Sequence, residues 1–465
     1  MSGIFGIVSH RDCLEDLFYG TDYHSHLGTQ FGGLAVYGDG ELTRKIHDIK
    51  GSQFKAKFYE DYKKMRGNKG IGVISAMDEQ PIYVNSKFGP FVIVTNGFID
   101  NAQELAKGLY KDGQSFSEVT DGRVNLTELV AKMIIRGKTI IDGIEQMFSK
   151  IDGSCSLLLL NKDGIYVVRD RYGYTPLILG QRGKDWAVTT ETTAFKNLGF
   201  KTVKYIHPGE VILLSESGLK SKRKGGRINQ ICSFLWIYTG FPGSSYEGIT
   251  VEVVRERCGR FLAKRDNINV DIASGVPDSG TTHAIGYAME SGVPFRRPLV
   301  KYTPGFDRSY TPLSQETRDR IARMKLIPIV EIIKGQRIVI CDDSIVRGTQ
   351  FKNYTIQKLK ECGIKEIHLR IACPPLMFPC KFNYSTRSIH ELAARRAIKA
   401  MEGKDIKDVK AYLDENSPRH KKMVEWINRD IGATTLKYQK LNDMVSAIGL
   451  PKEKLCLYCW TGRHP

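Results

Sequence analysis

The residues best equipped for chemistry lie in one short string, Arg337-Ile-Val-Ile-Cys341 running into Asp342-Asp343-Ser344-Ile345-Val346-Arg347-Gly348-Thr349. The first five form an apolar run suited to a buried strand, and a helical pattern begins at Lys352. A loop that leaves the carboxyl end of a parallel strand and opens a helix offers free backbone N–H groups and the positive end of a dipole, which together hold a phosphate. Ser344, Thr349 and the amides between them supply that cradle. Two adjacent acids would repel a phosphate, but they suit the two hydroxyls of a ribose, which need acceptors. The string from Ile338 to Gln350 therefore reads as a grip for a ribose 5-phosphate.

A second pattern lies at the carboxyl end, where Cys456-Leu-Tyr-Cys459 places two thiols at the spacing that faces one metal centre from a tight turn. Two ligands do not make a site, and zinc or an iron–sulfur cluster fits a four-thiolate site equally well on geometry. Ten cysteines in 465 residues are too sparse for a disulfide scaffold. Cys13, Cys155, Cys258, Cys341, Cys362 and Cys373 fall on apolar faces or strand ends and read as packing residues.

The elements that must position these groups change rhythm along the chain. The first half predicts short strands at Ile4 to Ser9, Gly32 to Tyr37, Phe91 to Thr95, Ser156 to Leu160, Ile165 to Asp170, Trp186 to Thr189 and Val211 to Leu214, with helices at Asn101 to Tyr110 and Thr127 to Arg136. That density of strands implies a two-sheet layered domain. The basic, glycine-rich run Lys220 to Arg227 has the composition of a solvated linker, so the sequence places the domains at 1–228 and 229–465. The second half alternates helix and strand: Val251 to Lys264, Val270 to Ala273, Thr282 to Ser291, Arg337 to Cys341, Lys352 to Cys362 and Glu366 to Ala372. Such alternation predicts a parallel, doubly wound sheet. After Ser388 the pattern is mainly helical.

With 41% apolar and 26% charged residues the composition is that of a globular enzyme. The net charge of +18 would suit nucleic acid or an acidic surface, but no stacking motif or recognition helix supports nucleic-acid binding. No apolar stretch approaches the roughly 18–20 residues of a membrane span, and Met-Ser-Gly-Ile-Phe-Gly-Ile-Val lacks the basic region of a signal peptide, so a cytoplasmic location with no membrane partner is expected.

Ile338 to Thr349 resembles the 5-phosphoribosyl-1-pyrophosphate (PRPP) loop of type I phosphoribosyltransferases, and its wording is most similar to that of the amidophosphoribosyltransferase family, glutamine-dependent enzymes that open purine synthesis. The resemblance extends over nearly the whole chain: Val276-Pro-Asp278-Ser279-Gly280 looks like the pyrophosphate-binding loop, followed by Pro374-Pro375 and Pro379-Cys380, and preceded by Arg169-Asp-Arg-Tyr-Gly-Tyr-Thr-Pro176 and Pro208-Gly-Glu210. It implies an amino-terminal α/β/β/α sandwich of the Ntn-hydrolase type, a carboxyl-terminal type I phosphoribosyltransferase sheet, and a homo-oligomer. It further implies that Asp342 and Asp343 hold the ribose and Mg2+, that Ser344, Ile345, Val346, Arg347, Gly348 and Thr349 hold the 5-phosphate, and that Asp278, Ser279 and Gly280 hold the pyrophosphate. The flexible loop that closes over PRPP is matched at Lys301, Arg308 and Ser309, whereas Tyr302, Thr303 and Asp307 depart from its pattern. Cys232, Cys380, Cys456 and Cys459 fall where cluster-bearing members place the ligands of a [4Fe-4S] centre, a structural staple for the tail.

The amino terminus departs further. In the family, removal of the initiator Met exposes a Cys whose thiolate attacks the glutamine amide, but here the position holds Ser2. A terminal serine can still act as a nucleophile with its own α-amine as base, although its hydroxyl is far harder to deprotonate. Ser75 stands where the family carries the arginine for the glutamine carboxylate, and His26-Leu27-Gly28 replaces His-Arg-Gly, while Asn96-Gly97 keeps what resembles the oxyanion hole. These changes point to an enzyme that forms phosphoribosylamine from PRPP and ammonia or another amine, its glutaminase activity lost. Two alternatives stand beside it, a PRPP-dependent transferase with a different acceptor and a PRPP-binding regulatory paralogue without catalysis.

Overall fold

Alternating side chains decide the layers of the amino-terminal part. In this computed structural model, which describes residues 2–117, 119–120, 122–302, 326–349, 351–383 and 388–464, the even-numbered Val92, Val94, Leu158 and Leu160 fill one cluster. Their odd-numbered neighbours Phe91, Ile93, Leu157 and Leu159 fill another. With a period of two, each strand thus buries both faces. The first cluster lies between two antiparallel sheets, and the second lies under the helices Ala102–Lys111, Leu126–Ile135 and Ile140–Lys150.

The chain divides into two compact units, one of Met1–Cys232, Gly243–Gly248 and Lys381–Tyr384, the other of Ser233–Pro242, Ile249–Cys380 and Ser385–Pro465. The seven-stranded sheet of the first unit runs in the order Lys201–Tyr205, Ile178–Arg182, Asp185–Thr189, Gly3–Val8, Lys69–Ser75, Phe31–Gly38, Glu41–Asp48. Its second sheet runs Gly218–Arg223, Val211–Ser215, Gly164–Val168, Gly153–Asn161, Gly89–Ile99, Ile82–Ser86. With the helices Leu14–Asp22 and Phe54–Lys64 contributing buried Phe18, Phe54 and Phe58 to the first unit, this is the expected α/β/β/α sandwich.

The basic run corrects one expectation. Gly218–Arg223 is no linker; it is the edge strand of the second sheet, antiparallel to Val211–Ser215. Its lysines are tolerated because an edge strand needs only one partner, and charge on its open side discourages pairing with another chain.

The Arg169-Asp170 motif is structural. The Asp170 carboxylate accepts from the amides of Tyr172, Gly173, Tyr174 and Thr175 at 2.8–3.2 Å, closing the turn between strands. Arg169, 1% exposed, donates to the carbonyl of Gly173 at 2.9 Å and meets Glu247 at 3.1 Å.

The second unit is built on a parallel sheet in the order Ile272–Gly275, Arg337–Asp342, Glu366–Ile371, Thr435–Tyr438. The helices Val251–Lys264 and Thr281–Ser291 pack on it, and the expected helix after Thr349 enters as a π-helical turn, Phe351–Ile356, before Gln357–Glu361 becomes α. The strand Thr435–Tyr438, unexpected from the sequence, closes one edge. A buried ion pair holds these strands from beneath: Arg370 meets Asp266 at 2.5 and 2.9 Å, joined by Tyr287 Oη at 2.9 Å and Lys437 Nζ at 3.0 Å. No helix among the described residues is long and apolar enough to cross a membrane.

Candidate active site

The two phosphate-type loops of the second unit leave the carboxyl ends of neighbouring parallel strands, where an open α/β sheet places its ligands. The Val276 amide donates to the Cys341 carbonyl at 3.0 Å, and Ser279 Oγ donates to Asp342 Oδ1 at 2.8 Å. Gly280 allows this approach, since a Cβ there would lie 2.2 Å from the Cys341 oxygen. Asp342 and Asp343 are 8% and 5% exposed. The Asp343 amide donates to Asp342 Oδ1 at 3.0 Å, and Ser344 Oγ donates to Asp343 Oδ2 at 2.5 Å.

Burial pushes the carboxyls of both acids up, and at Asp342, where the rise is largest, the neighbouring charge of Asp343 adds to it. Two adjoining carboxylates so placed favour whatever brings donors or positive charge to them, which a ribose diol or a divalent cation does. Beyond them the N–H groups of Ser344, Ile345, Val346, Arg347 and Gly348 meet no acceptor among the described residues, and Gly348 takes a left-handed φ of 77°. Ile345 is buried and anchors the loop, whereas Arg347 and Thr349 are exposed. Lys301 Nζ lies 2.8 Å from Asp278 Oδ2. Arg308, Thr303, Asp307 and Ser309 lie outside the described residues, as does Gln350.

In the first unit Ser2 sits at the head of the strand Gly3–Val8, its nitrogen donating to Asn96 Oδ1 at 3.1 Å and its hydroxyl accepting from the Ala76 amide at 3.2 Å. Asn96 is 1% exposed and its Nδ2 has no partner among the described residues, leaving a buried donor of the kind that stabilises an oxyanion. Gly97 has a φ of 142°, and a Cβ on it would lie 2.1 Å from the Ser154 oxygen.

The cleft beside Ser2 encloses about 20 Å³, room for one or two waters, and is lined by Ser75, Met77, Asp78, Gln80, Thr95 and Leu126 among others. Among the described residues none that line it is a cation, and the charge of Arg123 reaches Asp78 from outside the lining. Its one acid, Asp78, has its carboxyl pushed up by burial against the opposing hydrogen bond from the Leu126 amide. Ser75 is fully buried with its hydroxyl beside Gln80 Nε2 at 3.3 Å, and Gly28 packs on its main chain, so the two departures from the family pattern at Leu27 and Ser75 are neighbours.

Comparison with known proteins fits this picture. Residues 69–197 match the model of a glutamine amidotransferase domain. The amidophosphoribosyltransferase of Methanocaldococcus jannaschii is 30% identical over 493 aligned residues, covering 100% of this chain and 98% of that protein. The chain belongs to the amidophosphoribosyltransferase family.

The enzyme of that name from Bacillus subtilis is also 30% identical, over 100% of this chain and 94% of its own. A solved structure described as glutamine PRPP amidotransferase from B. subtilis complexed with ADP and GMP superposes with a TM-score of 0.84, covering 100% of this chain and 97% of that one. A second, described as the allosteric regulatory enzyme of purine biosynthesis, also gives 0.84 at 29% identity. The protein is thus a phosphoribosyltransferase of the amidophosphoribosyltransferase family, with the Ntn-type and type I transferase folds that its sequence implies.

Of the four family cysteines, Cys232 falls in the first unit and Cys380, Cys456 and Cys459 in the second. Within the second unit the Cys459 carbonyl accepts from the amides of Met377 and Phe378 at 2.9 and 3.1 Å, which lays the tail against the segment leading to Cys380. Among the described residues no group of three or more His, Cys, Asp or Glu side chains is gathered as a metal site.

Several contacting residues escaped the sequence reading. Glu191, buried beneath His26, accepts from Ser244 Oγ at 3.1 Å and Tyr246 Oη at 2.8 Å. Burial alone would raise its pKa, but His26 at 3.1 Å overcomes that and holds the carboxyl below the usual range. Glu391, Arg396 and Asp430 lie around the loop after Asp343, and no local pattern marks them because they lie 44 to 83 positions beyond Arg347.

Proposed function

We propose that this amidophosphoribosyltransferase-family enzyme joins PRPP to ammonia, or to another amine supplied from outside, and no longer hydrolyses glutamine. The observation that carries the first half is the buried Asp342–Asp343 pair beside a run of unmatched loop amides. The second half is supported by the cleft at Ser2, whose described lining residues include Asp78 and no arginine, Arg123 acting on Asp78 from outside that lining.

In this reading Asp342 and Asp343 accept the ribose hydroxyls, Ser344 to Thr349 hold the 5-phosphate, and Asp278, Ser279 and Gly280 face the pyrophosphate. The amine nitrogen attacks the anomeric carbon, the bond to the pyrophosphate oxygen breaks, and the ammonium formed loses a proton to solvent. Mg2+, held through Asp342, Asp343 and the substrate's own oxygens, would neutralise charge growing on the leaving group. Lys301 adds a cation on the pyrophosphate side once it exchanges Asp278 for the substrate.

We further propose that Cys232, Cys380, Cys456 and Cys459 ligate a [4Fe-4S] cluster with a structural role. The Cys456-x-x-Cys459 spacing and the anchoring of Cys459 beside Met377 and Phe378 support it. Iron and sulfide analysis of anaerobically purified protein tests it, and stoichiometric zinc without sulfide would replace the cluster by a zinc site.

The deciding experiment measures pyrophosphate release from PRPP and Mg2+, comparing ammonium chloride with glutamine as nitrogen source. Release with ammonium alone is expected. Equal release with glutamine would overturn the loss of glutaminase, and release with neither would leave the chain a PRPP-binding protein or a transferase to another acceptor.

A further inference from the structure

The crossover from the strand Glu366–Ile371 to the strand Thr435–Tyr438 carries the helices Ala393–Glu402 and Pro418–Ile431. This excursion grips the phosphate loop at successive positions. The Ala393 amide donates to the Val346 carbonyl at 2.8 Å, and the Arg396 guanidinium donates to the Arg347 carbonyl at 2.7 Å. Arg347 itself reaches Glu391 at 2.9 Å, and the side chain of Ile431 lies over Gly348, where a Cβ would meet it at 3.6 Å. Asp430 then ties the assembly together, accepting from Arg396 at 3.4 Å and from Lys352 at 2.7 Å, the first basic side chain of the helix that the loop opens.

In a trans peptide the C=O and the following N–H point in opposite directions. A donor that fixes the Val346 carbonyl therefore aims the Arg347 N–H away from the helices, and one that fixes the Arg347 carbonyl does the same for the Gly348 N–H. Both of these N–H groups lack an acceptor among the described residues. We propose that Arg396, held by Asp430, is a positioning residue for phosphoribosyl transfer: it locks the Arg347–Gly348 peptide plane, next to the Val346–Arg347 plane held by the Ala393 amide, so that the Gly348 N–H stays aimed at the 5-phosphate of PRPP. The inference rests on the PRPP reading above.

The test compares wild type with Arg396→Met, Arg396→Lys and Asp430→Asn in the full-length enzyme, by calorimetric PRPP binding and by steady-state pyrophosphate release at saturating ammonium. Arg396→Met removes a charged donor and should weaken PRPP binding and raise its KM about tenfold, with kcat, the KM for ammonium and the thermal midpoint nearly unchanged. Lysine at 396 keeps one donor and should recover most of the loss, while Asp430→Asn should give a smaller loss of the same kind. Unchanged PRPP affinity in Arg396→Met, alongside a wild type that binds PRPP, overturns this inference alone. Equal losses in Met and Lys variants with a lowered thermal midpoint would make the role purely structural and also overturn it. A wild type that does not bind PRPP overturns the parent reading and this one with it.

Discussion

Asp343 offers a perturbation in which binding and stability should move in different directions. Its carboxyl is 5% exposed, lies beside the equally buried Asp342, and is raised in pKa because burial disfavours its charge. Replacing it by alanine removes one of two like charges from a desolvated site. Ser344 Oγ loses its partner, but Ser344 is half-buried and water can serve it; Ser279 keeps its bond to Asp342. The fold should therefore lose little or gain.

Substrate binding should suffer. A ribose hydroxyl donating to a charged acceptor is worth roughly 1.5–3 kcal/mol, so deleting one such acceptor predicts PRPP binding weaker by a factor of about ten to a hundred. Asparagine, which keeps a neutral acceptor, should fall between alanine and wild type. Calorimetry with PRPP gives the affinity and differential scanning calorimetry the midpoint. PRPP affinity unchanged in Asp343→Ala would refute the ribose grip. A midpoint lowered by more than about 5 °C would instead show that the acid pair stabilises the fold, against the sign argued from its burial.

Three further outcomes follow from the same geometry. Arg370→Met takes from buried Asp266 its two-pronged partner, leaving it Lys437 and Tyr287, and should cost about 3 kcal/mol in urea unfolding, whereas Arg370→Met with Asp266→Leu should recover most of it; equal losses would show that packing and not charge is at stake. Stability should also fall on acidification: His24 and His283 are buried, and desolvation lowers their pKa values from 6.5 to about 4 and about 3. The unfolded chain takes up protons near pH 6.5 that the folded chain refuses, so their contribution is intact above that pH and is lost as pH falls toward 4. For His24 the loss is on the order of 3 kcal/mol, read as the difference in urea unfolding between pH 7.5 and pH 4 and flattened in His24→Gln. Gly97→Ala combines a forbidden φ with a contact of 2.1 Å and should cost about 2–4 kcal/mol; a variant as stable as wild type would show that the strand shifts freely.

The sequence by itself determined whatever is local or periodic. The strand, paired acids and loop at Arg337 to Thr349 are contiguous, so a candidate site could be read there without a fold, and the apolar run Leu157 to Leu160 marked a strand, whose burial on both faces the structure then showed. Residues whose role is set by contact with distant positions were silent. The edge strands Glu41–Asp48, Gly218–Arg223 and Thr435–Tyr438 carry little apolar alternation because their pairing partners, not their own side chains, fix them in extended form. Lysines that read as a solvated linker turned out to be the open face of a sheet. Only the tertiary structure decided that Arg396 and Asp430 brace the loop after Asp343 and that the cleft at Ser2 is lined, among the described residues, by an acid and no cation. A hydrogen bond across 49 positions of chain depends on where the helical crossover returns to the sheet, and that return is set by packing rather than by any pattern in the residues that make the bond.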